Sequence, residues 1–191
     1  MSKRIIPAIA AASLLALAPA FAQNQGTSGA GHGAHGATID AEGAHINPDE
    51  HFVHEAAAGG MLEVELGRLA AERASSAEVK AFGQRMVTDH GKANQQLTRI
   101  ASSKGMTLAR ALPADKQRER DMFARLSGAE FDRMYMDHML KEHKKDVAEF
   151  EKQAEKGTDP AIRSFAQQTL PTLREHLTLA ESLAGKQAQK K

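Results

Sequence analysis

The chain has 191 residues, with 25 basic and 24 acidic side chains and a formal net charge of +1 at pH 7. It contains no cysteine, which excludes disulfides, thiolate metal sites and cysteine nucleophiles. No basic stripe is interleaved with aromatic residues, so no nucleic-acid partner is expected. The protein must therefore take its stability from a hydrophobic core.

Residues 1–22 have the pattern of a secretory signal. Lys3 and Arg4 precede an apolar run over residues 8–17, and Ala20-Phe21-Ala22 fits a small-x-small cleavage site. The run is too short for a stable membrane span, and no other segment approaches the required length. We therefore expect an exported protein, periplasmic or secreted, with no integral membrane span after the signal is removed.

Residues 23–46 are rich in Gly, Ala, Ser and His and have almost no large apolar side chains. Such a segment cannot bury enough apolar surface to offset the entropy of ordering, so it is predicted to be a disordered linker. A folded domain is expected over residues 47–185, followed by a basic tail at 186–191.

Four long helices are predicted near residues 48–73, 76–104, 128–156 and 160–184, because apolar residues in each recur with the 3.6-residue helical period. The first and last begin with proline after a capping residue, Asn47 and Asp159 respectively. No strand-like alternation occurs. The fold class is therefore all-α.

The lengths of the connections predict the topology. The first and second helices, and likewise the third and fourth, have very short joins, so each pair should form an antiparallel hairpin. The join over residues 105–127 is longer and contains a short helix predicted at 113–126, so it can run the length of the bundle. This long crossover predicts a ferritin-like four-helix bundle, with an up-down bundle carrying a decorated loop as the alternative.

Each long helix has a metal-capable side chain near the middle of its apolar face. A carboxylate or imidazole in such a position must be paired, hydrogen-bonded or bound to a metal. Projection around the helices places these side chains toward one interior, whereas Glu65, Asp89 and Glu175 are expected to face away. The candidate ligands are Glu63, His90, Glu142, His143 and His176.

Two functions remain open for this Glu/His cluster. It can hold a metal ion or a small ligand, and such donors suit Zn, Cu or Fe better than Ca or Mg. Alternatively, it is a hydrogen-bonded network that only fixes helix packing in a non-catalytic structural or interaction module. That module would act through a protein partner or as a homo-oligomer. In the first helix, Gly59-Gly60 is expected to permit close approach of a neighbouring helix.

Residues 52–183 resemble the DUF4142 family of exported bacterial proteins, which is grouped with the ferritin-like superfamily. The matching stretches are Phe52-Val53, Ala56-Ala57-Ala58-Gly59-Gly60, Glu63-Val64-Glu65-Leu66-Gly67, Leu69-Ala70, Val79-Lys80, Phe82, Met86-Val87-Thr88-Asp89-His90, Gly128, Phe131-Asp132, Tyr135-Met136, Glu142-His143, Phe165-Ala166, Leu170-Pro171 and His176-Leu177. The resemblance implies a ferritin-like bundle in the bacterial envelope and brings no established activity.

The wider ferritin-like superfamily implies a di-iron centre, which needs a Glu on each of two helices and Glu-x-x-His on the other two. Here the residues three before His90 and His176 are Val87 and Leu173. Both Glu-x-x-His motifs are therefore missing. No catalytic residue is predicted, and a binding role is favoured over an enzymatic one.

Overall fold

The computed structural model describes residues 47–189, which form five helices. These are α1 (Pro48–Arg73), α2 (Ala77–Ser103), α3 (Ala114–Phe123), α4 (Gly128–Lys156) and α5 (Pro160–Ala188). The all-α prediction is confirmed. None of these five helices is long and apolar enough to cross a membrane. The signal predicted at 1–22 and the linker predicted at 23–46 lie outside the described residues.

Two helix boundaries differ from the prediction by more than one residue. The short helix ends at Phe123 rather than at 126. Helix α5 continues to Ala188, so much of the basic tail predicted at 186–191 is helical. The extension is explained by Gln187, which is buried and therefore keeps the last turn against the bundle.

Buried aspartates at the two ends of the bundle define the helix directions. At one end, Asp49 at the start of α1 accepts hydrogen bonds from Gln153, Thr158 and Asp159 around the α4–α5 turn. At the other end, Asp132 near the start of α4 accepts hydrogen bonds from the α1–α2 turn. Helix α1 is therefore antiparallel to α4, and α2 is parallel to α4. In an up-down bundle α4 would start beside the end of α2, so the ferritin-like crossover is the correct topology.

The crossover segment packs along α1. Arg120 of α3 lies 3.9 Å from the Glu65 carboxylate of α1. Phe123 is buried against Phe131 and His138 of α4, with ring centroids 6.3 and 5.1 Å away. Helix α3 therefore covers the α1–α4 side of the bundle.

The apolar core has two parts with a polar layer between them. One cluster, including Leu66, Phe82 and Tyr135, fills the end near the α1–α2 turn. The other, including Leu97 and Phe165, fills the end near the α4–α5 turn. On every long helix, one of the predicted ligands lies between these two clusters. These ligands are Glu63, His90, His143 and His176.

The backbones of helices α1 and α2 are in close contact at Gly67 and Gly83. A Cβ atom on Gly67 would lie 2.5 Å from the Gly83 carbonyl oxygen, and a Cβ on Gly83 would lie 2.7 Å from the Gly67 oxygen. The expectation for Gly59-Gly60 is wrong. A Cβ on Gly59 would meet no atom within 4 Å, and one on Gly60 would meet only the flexible Asn94 side chain.

The Gly67→Ala variant should be destabilised, because its methyl group would force two backbones apart. Overpacking of this kind costs about 1–3 kcal/mol, against a gain of up to about 1 kcal/mol in helix propensity. Gly185→Ala is the matched control, since a Cβ there meets nothing within 4 Å. Chemical denaturation of both variants checks this, and an unchanged midpoint for Gly67→Ala would contradict the close contact.

Candidate metal centre

The four long helices bring three histidines together in the polar layer. His90 from α2, His143 from α4 and His176 from α5 are all buried, and one nitrogen of each lies within 4.8 Å of the others. Their ring centroids are 5.3 to 5.6 Å apart. We refer to these three residues as the histidine cluster. Glu63 of α1 is also buried and borders the cluster.

One nitrogen of each ring is engaged by a hydrogen-bond acceptor. His143 Nδ1 lies 2.9 Å from the Met139 carbonyl oxygen, which can only accept, so this nitrogen carries the hydrogen. His90 Nδ1 lies 2.7 Å from Glu63 Oε2. His176 Nε2 lies 3.0 Å from the Asp89 carboxylate. With these nitrogens donating, the other nitrogen of each neutral ring has a free lone pair.

The three remaining nitrogens are buried without a hydrogen-bond partner in the described part of the chain. They are His90 Nε2, His143 Nε2 and His176 Nδ1. Glu63 Oε1 is similarly unpartnered and lies 3.6 Å from His143 Nε2. Buried polar atoms normally have partners, and metal-bound imidazoles normally donate their other nitrogen to a carboxylate or carbonyl. The arrangement therefore has both the donor atoms and the orienting hydrogen bonds of a metal site.

The fifth predicted ligand, Glu142, has a different position. It is half-buried, lines a cavity beside Glu63 and His90, and is not part of the histidine cluster. Its neighbour His143 instead takes the interior position on α4, where it is fully buried.

Two carboxylates near the site were not predicted. Asp89 was expected to face away from the core, but its carboxylate accepts from His176 and from Arg85. Helix α5 packs on the flank of α2. A side chain that a projection of α2 alone directs to solvent, such as Asp89, can therefore contact α5. Asp146 lines the same cavity as Glu63, and burial together with the Glu63 carboxylate raises its pKa. Its spacing of three residues from His143 was the available signal.

Burial dominates the electrostatics of the site. It raises the pKa of Glu63 to about 7, an effect opposed by His143 and reinforced by Glu142. It lowers the pKa of His90 to about 4 and that of His176 to about 4, and it also lowers the pKa of His143. The imidazoles are therefore neutral at pH 7, which is the protonation state that metal coordination requires.

The stability of the metal-free protein should fall as the pH is lowered from 7 to 5. His90 and His176 have pKa values of about 4 when folded against an ordinary 6.5, so in this window the unfolded chain binds more protons. The lowered pKa of His143 adds to this loss, whereas the raised pKa values of Glu63, to about 7, and of Asp146 oppose it. Three imidazoles against two carboxyls leave a net loss of stability.

Denaturant titrations at both pH values, in the presence of a chelator, measure this loss. His176→Leu should reduce the pH dependence, because it removes one of the groups that the unfolded chain protonates. A parent protein that becomes more stable between pH 7 and pH 5 would contradict the assignment of neutral, buried imidazoles.

The donor set does not fit the di-iron centre of the ferritin-like superfamily. That centre requires several bridging carboxylates and two Glu-x-x-His motifs. Val87 and Leu173 occupy the positions of the two glutamates, and Leu173 is buried in the apolar core. Three imidazoles and one buried carboxylate are instead suited to a single ion.

Comparisons with known proteins agree with this fold. A DUF305 fragment from Deinococcus radiodurans is similar in structure, with a TM-score of 0.64 and 15% identity over 74% of this chain and 97% of that one. A DUF305 protein from Streptomyces coelicolor that is inferred to be secreted has a TM-score of 0.63 and 13% identity, over 74% of this chain and 94% of that one. No curated protein matches the sequence. The model of the family described as "Domain of unknown function (DUF4142)" matches residues 35–183. The chain therefore belongs to the DUF4142 family, and its fold is consistent with the ferritin-like superfamily.

Proposed function

We propose that the bundle binds one divalent transition-metal ion between α2, α4 and α5. The ligands are His90 Nε2, His143 Nε2 and His176 Nδ1, and Glu63 borders the site with its Oε1 3.6 Å from His143 Nε2. The supporting observation is that these three nitrogens are buried and unpartnered among the described residues, while the opposite nitrogens of His143 and His176 are hydrogen-bonded and that of His90 lies 2.7 Å from Glu63 Oε2. A bound cation would satisfy all three.

The chemistry of the donors narrows the choice of ion. Imidazole nitrogen is a borderline ligand that suits Zn²⁺ and Cu²⁺ and, with lower affinity, Fe²⁺. Ca²⁺ and Mg²⁺ require a set of oxygen ligands that this layer does not supply. Met86 and Met139 are buried in the adjacent apolar cluster, where methionine packs as a hydrophobic residue. We therefore propose zinc or copper before iron.

The proposed role is to bind metal outside the cytoplasm of a bacterium, in the periplasm or after secretion. The sequence of residues 1–22 supports export, and the structurally similar Streptomyces protein is inferred to be secreted. No catalytic step is proposed, since the buried site adjoins a cavity of only about 40 Å³.

Titration of the chelator-treated protein with Zn²⁺ and with Cu²⁺ tests this function. Calorimetry should give one ion per chain, and saturating metal should raise the melting temperature. At a free metal concentration of about 1,000 times Kd, the expected stabilisation is roughly 4 kcal/mol. Protein that binds neither ion, with an unchanged melting temperature, would refute the proposal.

A structural module is the second candidate. It is favoured by the fact that His143 and His176 each have a hydrogen-bond partner, and His90 an ion-pair contact with Glu63, without a metal. In that case, replacing buried polar groups by apolar ones of similar size should be neutral or stabilising. The His143→Leu/His176→Leu double variant separates the two functions. If the role is structural, the parent protein should be equally stable in metal-containing and metal-free buffer. If the site binds metal, the parent should be more stable with metal, and the double variant should show no such stabilisation.

The Asp89→Asn variant should weaken metal binding without removing a ligand. Asp89 accepts from His176 Nε2 and thereby fixes the orientation of the ring. Loss of such a partner typically lowers metal affinity about 10–100-fold. Glu175→Gln is the matched control, because Glu175 also pairs with Arg85 but is exposed and has no hydrogen bond to the cluster. Calorimetry on both variants measures the effect, and equal affinities would contradict an orienting role for Asp89.

A further inference from the structure

A cleft with an acidic rim connects the surface of the bundle with the polar layer. The cavity has a volume of about 40 Å³ and is lined at depth by Glu63 and His90. Toward the surface it is lined by exposed or half-buried acids from α1 and α4. We define the acidic cleft by these residues, Glu55, Glu142, Asp146 and Glu149.

The cleft exists because α1 has almost no side chains along its wall. Ala56, Gly59 and Gly60 form this wall, and a Cβ atom on Gly59 would meet no atom within 4 Å. A Cβ atom on the neighbouring Gly60 would lie against the Asn94 side chain of α2, so the open space along this wall is at Gly59.

The charge of the cleft favours cations. Its acids Glu55, Glu142 and Glu149 face two lysines, Lys116 and Lys145, and Lys145 lies 3.7 Å from the Glu149 carboxylate. Burial and the neighbouring Glu63 raise the pKa of Asp146, so this residue adds less charge. A groove lined by one sign of charge concentrates ions of the opposite sign and raises their rate of association. At the inner end, the buried His90 has an unpartnered Nε2. The acids thus lead to a ligand atom of the proposed site.

We propose that divalent metal ions reach and leave the histidine cluster through the acidic cleft. The site is then an exchangeable one that equilibrates with solvent, rather than a permanently closed structural site. This role rests on the metal binding proposed above. It adds the route, the charge selectivity and the kinetics of that binding.

The Gly59→Leu variant tests the route, because a leucine side chain would fill the open space in the cleft and Gly59 is not itself a ligand. Leucine also favours a helix more than glycine does, so α1 should remain folded. Stopped-flow absorption with Co²⁺ as the probe measures loading, and a chelator measures release. An activation barrier as large as the free-energy cost of overpacking should slow both Co²⁺ loading and Co²⁺ release by about tenfold or more. The equilibrium affinity for Co²⁺ should be unchanged. Gly185→Leu, at another open helical position, is the matched control.

A second variant tests the charge of the acidic cleft independently of the Gly59→Leu substitution. Glu55→Gln/Glu149→Gln should slow Co²⁺ loading by about tenfold at low salt. The difference from the parent should disappear near 0.5 M salt, roughly where screening acts within a few ångströms. Glu72→Gln/Glu181→Gln removes the same net charge from exposed positions outside the cleft and should load at the parent rate.

The outcomes separate this proposal from the proposed function. Slow loading and release in Gly59→Leu, with parent rates in Gly185→Leu, supports the route. Parent rates in both Gly59→Leu and the Glu55/Glu149 variant would overturn it, while retained equilibrium binding would leave the metal site intact. If the parent itself binds neither Co²⁺ nor Zn²⁺, the proposed function fails, and the route fails with it.

Discussion

The His143→Gln variant is expected to lose the metal ion and the thermal stabilisation that the ion provides. His143 is fully buried, and its Nε2 is the nitrogen of α4 in the cluster. Loss of a hydrogen-bond partner of a ligand costs about 10–100-fold in affinity, and removal of the ligand itself should cost at least the upper end of that range. Calorimetry with Zn²⁺, together with the melting temperature with and without the ion, measures both effects.

The control is His138→Gln on the same helix. His138 is also largely buried, but it lies beside Glu119 of α3 and does not belong to the histidine cluster. The His138→Gln variant should bind Zn²⁺ as the parent protein does. Equal loss of binding in the two variants would show that the effect comes from disturbing α4 rather than from removing a ligand.

The Asp132→Ala variant is expected to lose about 3–4 kcal/mol of stability, whether or not metal is bound. The buried carboxylate accepts from Ser75 N at 3.0 Å, from Ser75 Oγ at 2.5 Å and from Ser76 N at 2.9 Å. These bonds join the start of α4 to the α1–α2 turn. Their removal leaves the buried Ser76 N–H unsatisfied, which costs more than the net value of its bond.

Denaturant unfolding with Asp137→Ala as the control measures this loss. Asp137 is exposed on the same helix, so its replacement should change the stability by less than about 0.5 kcal/mol. Asp49→Ala removes the equivalent contact at the opposite end of the bundle, and because the two sites share no partner the effects should add. A loss below 1 kcal/mol for Asp132→Ala would contradict its role in joining the hairpins.

The architecture was predictable because its signals are local. Asn47-Pro48 begins α1, and the apolar periodicity defines the length of all four long helices. The length of the 105–127 join also predicted the crossover correctly, since a short loop could not return the chain to the other end. The Asp49 and Asp132 contacts were not predicted, because their partners lie 56 to 110 residues away in the chain.

The site was only partly predictable, because a helix projection shows which way a side chain points but not which residues of other helices lie next to it. It correctly directed Glu63, His90 and His176 to the interior, and all three are buried. It left Glu142 and His143 as alternatives, since both lie near the edge of the apolar face. It missed Asp89 because the projection contained no information on where α5 packs against α2.

The hydrogen-bond pattern of the imidazoles is visible only in three dimensions. The sequence shows that histidines occur at core positions, but not which nitrogen donates and which has a free lone pair. The Met139 carbonyl determines this for His143, and the Asp89 carboxylate does so for His176. These contacts turn a set of buried histidines into a candidate metal site.

Anomalous diffraction at the zinc edge, from crystals of the chelator-treated protein reloaded with one equivalent of Zn²⁺, tests the central claim most directly. We predict one peak in the polar layer, about 2.0–2.1 Å from His90 Nε2, His143 Nε2 and His176 Nδ1. Crystals that show no peak at these three nitrogens, or a peak only on surface side chains, would contradict the metal site and leave the histidine cluster as a packing feature of the bundle.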